Sequence, residues 1–117
     1  MNPAILVGVG GMFGALSRHF VGQRLSGEGH GTLAVNVLGS FVLGALTAGL
    51  TSDPTLLALV GTGFCGAFTT FSSFAFETVR LFERGKRRKA VANATINLVG
   101  ALVAVGFGVL TASTISL

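Results

Sequence analysis

The chain has 117 residues, of which 50% are hydrophobic and only 10% are charged, and its mean hydropathy is +0.78. Soluble domains carry about 25% charged residues, so this composition excludes an ordinary soluble protein. It also excludes a disulfide framework, because Cys65 is the only cysteine, and no Cys/His cluster has metal-ligand spacing.

Uncharged segments occupy most of the chain, and each is near the roughly 20 residues that a helix needs to cross a bilayer. The first precedes Arg18 and the second lies between Glu28 and Asp53. The third lies between Asp53 and Glu77, and the fourth follows Lys89. They predict helices at residues 3–21, 32–50, 54–82 and 90–112. We therefore expect one all-α, four-helix transmembrane domain over residues 1–117, in a multi-pass protein of the cell membrane.

Small residues recur at helical spacing in the first two predicted helices. Helix 1 carries Gly10 and Gly14, and helix 2 has a face at four-residue steps formed by Thr32, Asn36, Ser40, Gly44 and Ala48. Lipid supplies no hydrophobic force between helices, so faces of small residues predict close helix–helix packing.

The third predicted helix contains "GTGFCGAFTTFSSF", Gly61 to Phe74, which favours an interrupted helix. Its glycines lower helix propensity, and its Thr and Ser hydroxyls can bond backbone groups that an interruption releases. Non-helical backbone at membrane depth is tolerated where it is buried in protein or lines a cavity. Phe71 and Phe74 face the same way if the helix resumes there, and their positively polarised ring edges suit a small anion.

Polar residues inside a membrane are costly and often functional. The candidates are Asn36, Thr69, Thr70, Ser72, Ser73, Glu77, Asn93 and Asn97. Ordinary interhelical hydrogen bonding is the alternative for each Asn, Ser or Thr taken singly. For Glu77 the two alternatives are a place in an ion path and an interfacial ion pair with Arg80 or Arg18.

The basic residues are distributed asymmetrically. In a four-helix topology all eight lie on one side of the membrane: Arg18, Arg24, Arg80, Arg84, Lys86, Arg87, Arg88 and Lys89. The positive-inside rule then places both termini outside the cytoplasm. The "KRRK" run is interpreted as contact with anionic lipid, and no nucleic-acid partner is expected, because no domain presents the run.

No enzymatic constellation is present, since the sequence lacks a Ser/His/Asp set, paired carboxylates, a zinc motif and a phosphate-binding loop. The function is therefore expected to be transport, conduction or assembly, and not catalysis.

Three segments resemble the Fluc (CrcB) family of fluoride channels, over nearly the whole chain. They are "GGMFGALSRHF", "GTLAVNVLGSFVLG" and "GTGFCGAFTTFSSFAFE". The third is the most specific, because the family carries G-x-x-T-T-F-S-x-F followed by Glu. The resemblance implies passive export of cytoplasmic fluoride through two pores in an antiparallel, dual-topology dimer, with helix 3 broken near its middle.

The resemblance also implies residue roles. Phe71 and Phe74 are the pore phenylalanines, and Asn36 is the amide that contacts fluoride. Carbonyls of Gly66 and Thr69 from both subunits hold a structural Na⁺ at the dimer centre, where oxygen ligands suit a hard cation. The other implied residues are Thr70 and Ser72, whose hydroxyls line the path, and Arg18 at the aqueous vestibule. Glu77 completes the motif and is assigned to the fluoride pore.

Helix 4 departs from the family pattern. Asn93, Asn97 and Ala101 stand where the family often has Tyr and Ser. Asn93 and Asn97 share a helix face and can still donate hydrogen bonds to the path, whereas Ala101 cannot.

Two other functions fit a small four-helix protein. A proton-coupled multidrug transporter of the small multidrug resistance type has a similar length and an antiparallel dimer, but it needs a carboxylate in helix 1, and residues 3–21 contain no Asp or Glu. A non-conducting assembly subunit would use the small-residue faces only for packing, which leaves the interrupted helix without a purpose.

Overall fold

The computed structural model describes residues 2–25 and 29–115, so the predicted domain limits at residues 1 and 117 lie outside the described residues. Every regular element in the described ranges is helical. The elements are α1 (Pro3–Arg24), α2 (His30–Leu50), α3 (54–68), α4 (Phe71–Glu83) and α5 (Arg87–Thr114). Together α3 and α4 form one span, Pro54–Glu83, so four units are long and apolar enough to cross a membrane. The expectation of an all-α protein with four spans is thus confirmed.

Side-chain caps and proline fix where two of the helices begin. Asn2 Oδ1 accepts a hydrogen bond of 2.8 Å from the N–H of Ala4, and Pro3 occupies the first turn of α1. Asp53 Oδ1 accepts one of 2.9 Å from the N–H of Thr55, just before α3 begins. A cap satisfies one of the N–H groups that a helix start leaves without a partner. The local sequence therefore determines where both helices begin.

The helices extend slightly past the uncharged segments. α1 continues to Arg24, beyond the expected limit at Val21, and α5 begins at Arg87 instead of Ala90. Arg, Lys and Gln are good helix formers, so charge at the membrane surface does not end a helix. A prediction from hydropathy alone therefore makes these two helices too short at their charged ends.

Glycines allow α1 and α3 to approach until their backbones touch. A Cβ built on Gly10 would collide with the carbonyl oxygen of Leu59, and one on Gly14 with that of Phe64. A Cβ on Gly63 would lie 2.8 Å from the Val7 carbonyl oxygen. The small residues of helix 1 therefore mark a close helix interface, as the sequence predicted.

Helices α2 and α5 form a second close pair, and α4 packs against α5. A Cβ on Gly44 would lie 2.7 Å from the carbonyl oxygen of Val105, and one on Gly108 would collide with that of Phe41. The two halves of the third span thus pack against different neighbours, α3 on α1 and α4 on α5. Their junction lies where these two pairs of helices meet.

Candidate functional site

The junction of α3 and α4 consists of two residues with extended backbone. Thr69 has φ −81° and ψ 157°, and Thr70 has φ −148° and ψ 119°. Helix resumes at Phe71, where the Thr70 hydroxyl accepts a 3.2 Å hydrogen bond from the N–H of Ser73 and caps α4. Backbone released at membrane depth needs such replacement partners.

Asn36 of α2 holds the extended segment in place. Its Oδ1 accepts a 2.8 Å hydrogen bond from the N–H of Thr70, and its Nδ2 donates one of 3.1 Å to the Thr70 carbonyl oxygen. One side-chain amide thus satisfies both polar backbone groups of a single residue. Two such bonds to one residue fix its orientation as well as its position.

The interruption also removes the usual helical hydrogen-bond donors of the Gly66 and Thr69 carbonyl oxygens. In an uninterrupted helix they would accept from the N–H groups of Thr70 and Ser73. Those N–H groups donate instead to Asn36 Oδ1 and Thr70 Oγ1. Gly66 is exposed, and open space surrounds the position that a Cβ would take. Main-chain oxygens of this kind fit a hard monovalent cation.

Side chains offer no comparable metal site. Within residues 2–25 and 29–115, no group of three or more His, Cys, Asp and Glu could hold a metal ion. A cation at the junction would therefore not be held by a cluster of these side chains.

A groove of about 300 Å³ opens beside the junction. We call it the phenylalanine groove. Six of the residues that line it were candidates from the sequence: Asn36, Thr69, Thr70, Phe71, Phe74 and Asn97. The rest of its lining is Ser40, Leu43, Leu98 and Ala101. The fold therefore gathers candidate residues up to 61 positions apart (Asn36 to Asn97) around one space.

The two phenylalanine rings form a tilted pair in this groove. Their centroids lie 5.7 Å apart, with 56° between the ring planes. Phe71 is 78% exposed, so its ring projects from the surface of the single chain. Phe74 is half-buried. The edges of such rings are positively polarised and attract negative charge.

A second cavity, of about 370 Å³, is also lined by Thr70. We call it the basic vestibule. Its polar lining comprises Arg18, His19, Gln23, Thr32, Ser72 and Ser73. Thr70 lines both spaces, and its hydroxyl lies 3.4 Å from that of Ser72. Arg18 and Ser72, both singled out from the sequence, are thus brought to one cavity that borders the phenylalanine groove at Thr70.

Glu77 lies near the junction but lines neither cavity. The hydroxyl of Thr32 donates a hydrogen bond to its Oε1. Its Oε2 is buried and has no hydrogen-bond partner among the described residues. The expected alternative of an interfacial pair with Arg18 or Arg80 does not match this arrangement, because a hydroxyl occupies Oε1 and Oε2 is bonded to neither guanidinium.

The two asparagines of α5 have different surroundings. Asn97 is buried and lines the phenylalanine groove, while its Nδ2 donates to the carbonyl oxygen of Asn93 at 2.9 Å. Asn93 Nδ2 donates to Thr78 Oγ1 at 2.9 Å, and the Thr78 hydroxyl donates to the Phe74 carbonyl oxygen at 2.9 Å. Asn93 thus connects α5 to the helical turn that carries Phe74 and does not line the groove.

No functional role was predicted for Thr32 or Thr78 from the sequence. Thr32 was interpreted as part of a packing face, yet it bonds Glu77. Its position four residues before Asn36 was the available signal, because that spacing puts both side chains on the side of α2 that faces the third span. For Thr78 the sequence offers only the same four-residue spacing from Phe74.

Comparisons with known proteins are consistent across nearly the whole chain. Residues 5–109 match the family described as "CrcB-like protein, Camphor Resistance (CrcB)". The fluoride-specific ion channel FluC 2 of Haloarcula marismortui is 53% identical over 109 residues, covering 91% of this chain and 90% of the relative. FluC of Methanocaldococcus jannaschii is 44% identical over 116 residues, covering 92% of each. FluC 1 of Halobacterium salinarum is 47% identical over 105 residues, covering 88% of this chain and 87% of the relative.

Proposed function

This chain belongs to the CrcB family, and from that premise we propose that it is a fluoride-selective ion channel through which cytoplasmic fluoride leaves the cell passively. It is a multi-pass protein of the cell membrane and not an enzyme. The observation that carries the proposal is that Thr70 lines both the phenylalanine groove and the basic vestibule. A proton-coupled multidrug transporter is not favoured, because residues 3–24 contain no carboxylate and the relatives are named as channels.

The proposed path begins in the basic vestibule. The positive charge of Arg18 raises the local concentration of anions there. Fluoride is small and strongly hydrated, so it must exchange water for other donors as it advances. The hydroxyls of Ser72 and Thr70 are placed to supply the first of these, since both line the vestibule.

Beyond Thr70 the ion would meet the ring edges of Phe71 and Phe74, together with the second N–H of the Asn36 amide. One Asn36 N–H already holds the Thr70 carbonyl, so this residue would position the path as well as contact the ion. The groove holds no fixed cation among its lining residues. Weak, distributed attraction allows an ion to enter and also to leave, which conduction requires.

The exposure of Phe71 supports a dimeric channel. A phenylalanine ring that is 78% exposed on one chain cannot enclose an ion without a second wall. We propose that a second subunit, inserted in the opposite orientation, covers this face. Each subunit would contribute its own phenylalanine groove, which gives two pores per dimer.

We also propose that a structural Na⁺ lies between the two subunits, on the carbonyls of Gly66 and Thr69. The redirected N–H groups at the junction support this assignment, since they leave these oxygens available. The ion would be structural, joining the two interrupted helices without taking part in fluoride movement.

Replacing Na⁺ by N-methyl-D-glucamine should therefore weaken the dimer and reduce fluoride efflux, because an organic cation cannot fit between main-chain oxygens. The dimer fraction in detergent and efflux from liposomes would be measured across a Na⁺ titration. Efflux and dimer fraction that stay constant without Na⁺ would contradict the assignment. The same titration with K⁺ distinguishes a sodium site from a general effect of ionic strength.

Insertion of the chain should be strongly biased, with both termini outside the cytoplasm. All eight Lys and Arg lie on the side of the α1–α2 and α4–α5 connections, and such an imbalance sets orientation. An antiparallel dimer then needs a paralogue of opposite bias or a minority of inverted copies. We favour the paralogue, and the numbered names FluC 1 and FluC 2 of relatives support that choice.

C-terminal reporters active in only one compartment would measure this bias. We expect signal almost entirely from the outer side in a strain without a second gene of this type. Equal signals on both sides would contradict the charge argument and favour a homodimer of dual topology.

Fluoride export itself is tested by growth. In a bacterial strain without its own fluoride exporter, expression of this chain should restore growth at a fluoride concentration that otherwise prevents it, and chloride tolerance should not change. If a paralogue is required, it would be co-expressed. Absence of rescue by properly inserted, dimeric protein would overturn the proposed function.

A further inference from the structure

We propose that the α4–α5 corner binds an anionic phospholipid, with the phosphate on Arg87 and Arg88 and an acyl chain in the groove along α5. The corner is a tight turn. Gly85 has φ +78°, a left-handed conformation that favours glycine. The N–H of Lys86 donates to the Leu81 carbonyl oxygen at 3.0 Å. The start of α5 is thereby held against the end of α4.

The corner carries a dense positive charge. Lys86, Arg87, Arg88 and Lys89 are consecutive and all exposed. The Arg87 guanidinium lies over the Phe82 ring, 5.2 Å from its centroid, and this cation–π contact restrains it. A guanidinium fixed in this way can bond a phosphate at the membrane surface through planar paired donors.

Two apolar grooves descend from this charged corner. One, of about 280 Å³, lies between α4 and α5 beside Phe82, Val91 and Ala94. The other, of about 580 Å³, is a shallow, open groove along one face of α5, with Arg87 and Arg88 at its mouth and Val91, Ala92, Thr95 and Ile96 along its length. Val91 borders both grooves. Positive charge at the mouth and apolar surface below it fit a ligand with an anionic head and a hydrocarbon tail.

The length of the second groove along α5 matches the thickness of one leaflet of a bilayer. From Arg87 to Ile96 a helix rises about 14 Å at 1.5 Å per residue, and half of a hydrocarbon core is about 15 Å. A second copy of this chain is a poorer occupant, because the whole chain has only four acidic residues to set against the basic run. Charge complementarity therefore favours phospholipid.

The test is native mass spectrometry of detergent-purified protein given equal amounts of phosphatidylglycerol and phosphatidylcholine. We expect wild type to retain phosphatidylglycerol at least about fivefold more than phosphatidylcholine. The variant Arg87→Gln/Arg88→Gln should lose this preference. The matched control Arg24→Gln/Arg80→Gln removes the same charge from the same membrane side and should keep it. Loss of preference in both variants, or in neither, would overturn the site.

A second variant tests the groove without changing charge. Ala92→Phe should fill the groove and lower retention of both lipids several-fold, while the elution volume of the protein on size exclusion stays unchanged. Unchanged lipid retention would overturn the proposal. So would dissociation of the dimer, because it would identify the groove as a contact between subunits.

Discussion

Replacing Phe71 or Phe74 by Ile is expected to reduce fluoride efflux from liposomes at least about tenfold, which corresponds to roughly 1.4 kcal/mol of lost stabilisation along the path. Isoleucine keeps an apolar side chain but has no ring, so the positively polarised edge disappears. The two rings lie 5.7 Å apart in one groove, so each change should be harmful by itself. Initial efflux would be followed with a fluoride electrode.

The matched control is Phe76→Ile. Phe76 lies on the same helix and is 65% exposed, but it does not line the phenylalanine groove. Its replacement should leave efflux within about twofold of wild type, since surface changes away from a site have small effects. Size exclusion would establish that all three variants keep the oligomeric state of wild type. Normal efflux in both Phe71→Ile and Phe74→Ile would move the path away from these rings.

Asn36→Leu is expected to destabilise the protein by roughly 2–4 kcal/mol, because it leaves the N–H and the carbonyl of Thr70 without partners. These groups are held at 2.8 and 3.1 Å by the Asn36 amide. The extended backbone at Thr69 and Thr70 would lose its support, so efflux should fall together with stability. Thermal unfolding in detergent and liposome efflux would be measured on the same preparation.

Ser40→Ala provides the comparison for this prediction. Ser40 lies one turn from Asn36 on α2 and also lines the phenylalanine groove. The Ser40→Ala substitution removes a hydroxyl from the groove and leaves the hydrogen bonds from Asn36 to Thr70 intact. Its unfolding temperature should therefore stay near that of wild type. An Asn36→Leu protein as stable as Ser40→Ala would contradict the positioning role of Asn36.

The spans and the family could be predicted because their signals are local. Hydropathy alone indicated four membrane-crossing helices, and three sequence segments, of which Gly61 to Glu77 is the most specific, indicated the family. A close helix neighbour of α1 was also predictable, since Gly10 and Gly14 mark a helix interface whatever the partner is. That this partner is α3 could not be predicted.

The long-range hydrogen bonds of the site could not be predicted, because each joins distant parts of the chain. Asn36 and Thr70 are separated by 34 positions, and Thr32 and Glu77 by 45. No local pattern distinguishes an asparagine that faces an ion path from one that holds a backbone. Asn93 and Asn97 illustrate this limit, since they share a helix face yet only Asn97 lines the groove.

The most direct measurement of the central claim compares fluoride and chloride efflux from the same liposomes containing the purified protein. Vesicles loaded with both potassium salts would be opened to potassium flow by valinomycin, with no pH gradient, and each anion followed by its own electrode. Close-packed helices around ring edges should admit the smaller ion and exclude the larger one. We expect rapid fluoride release, with chloride release at the level of protein-free vesicles. Comparable rates for the two anions, or no fluoride release without a pH gradient, would contradict it.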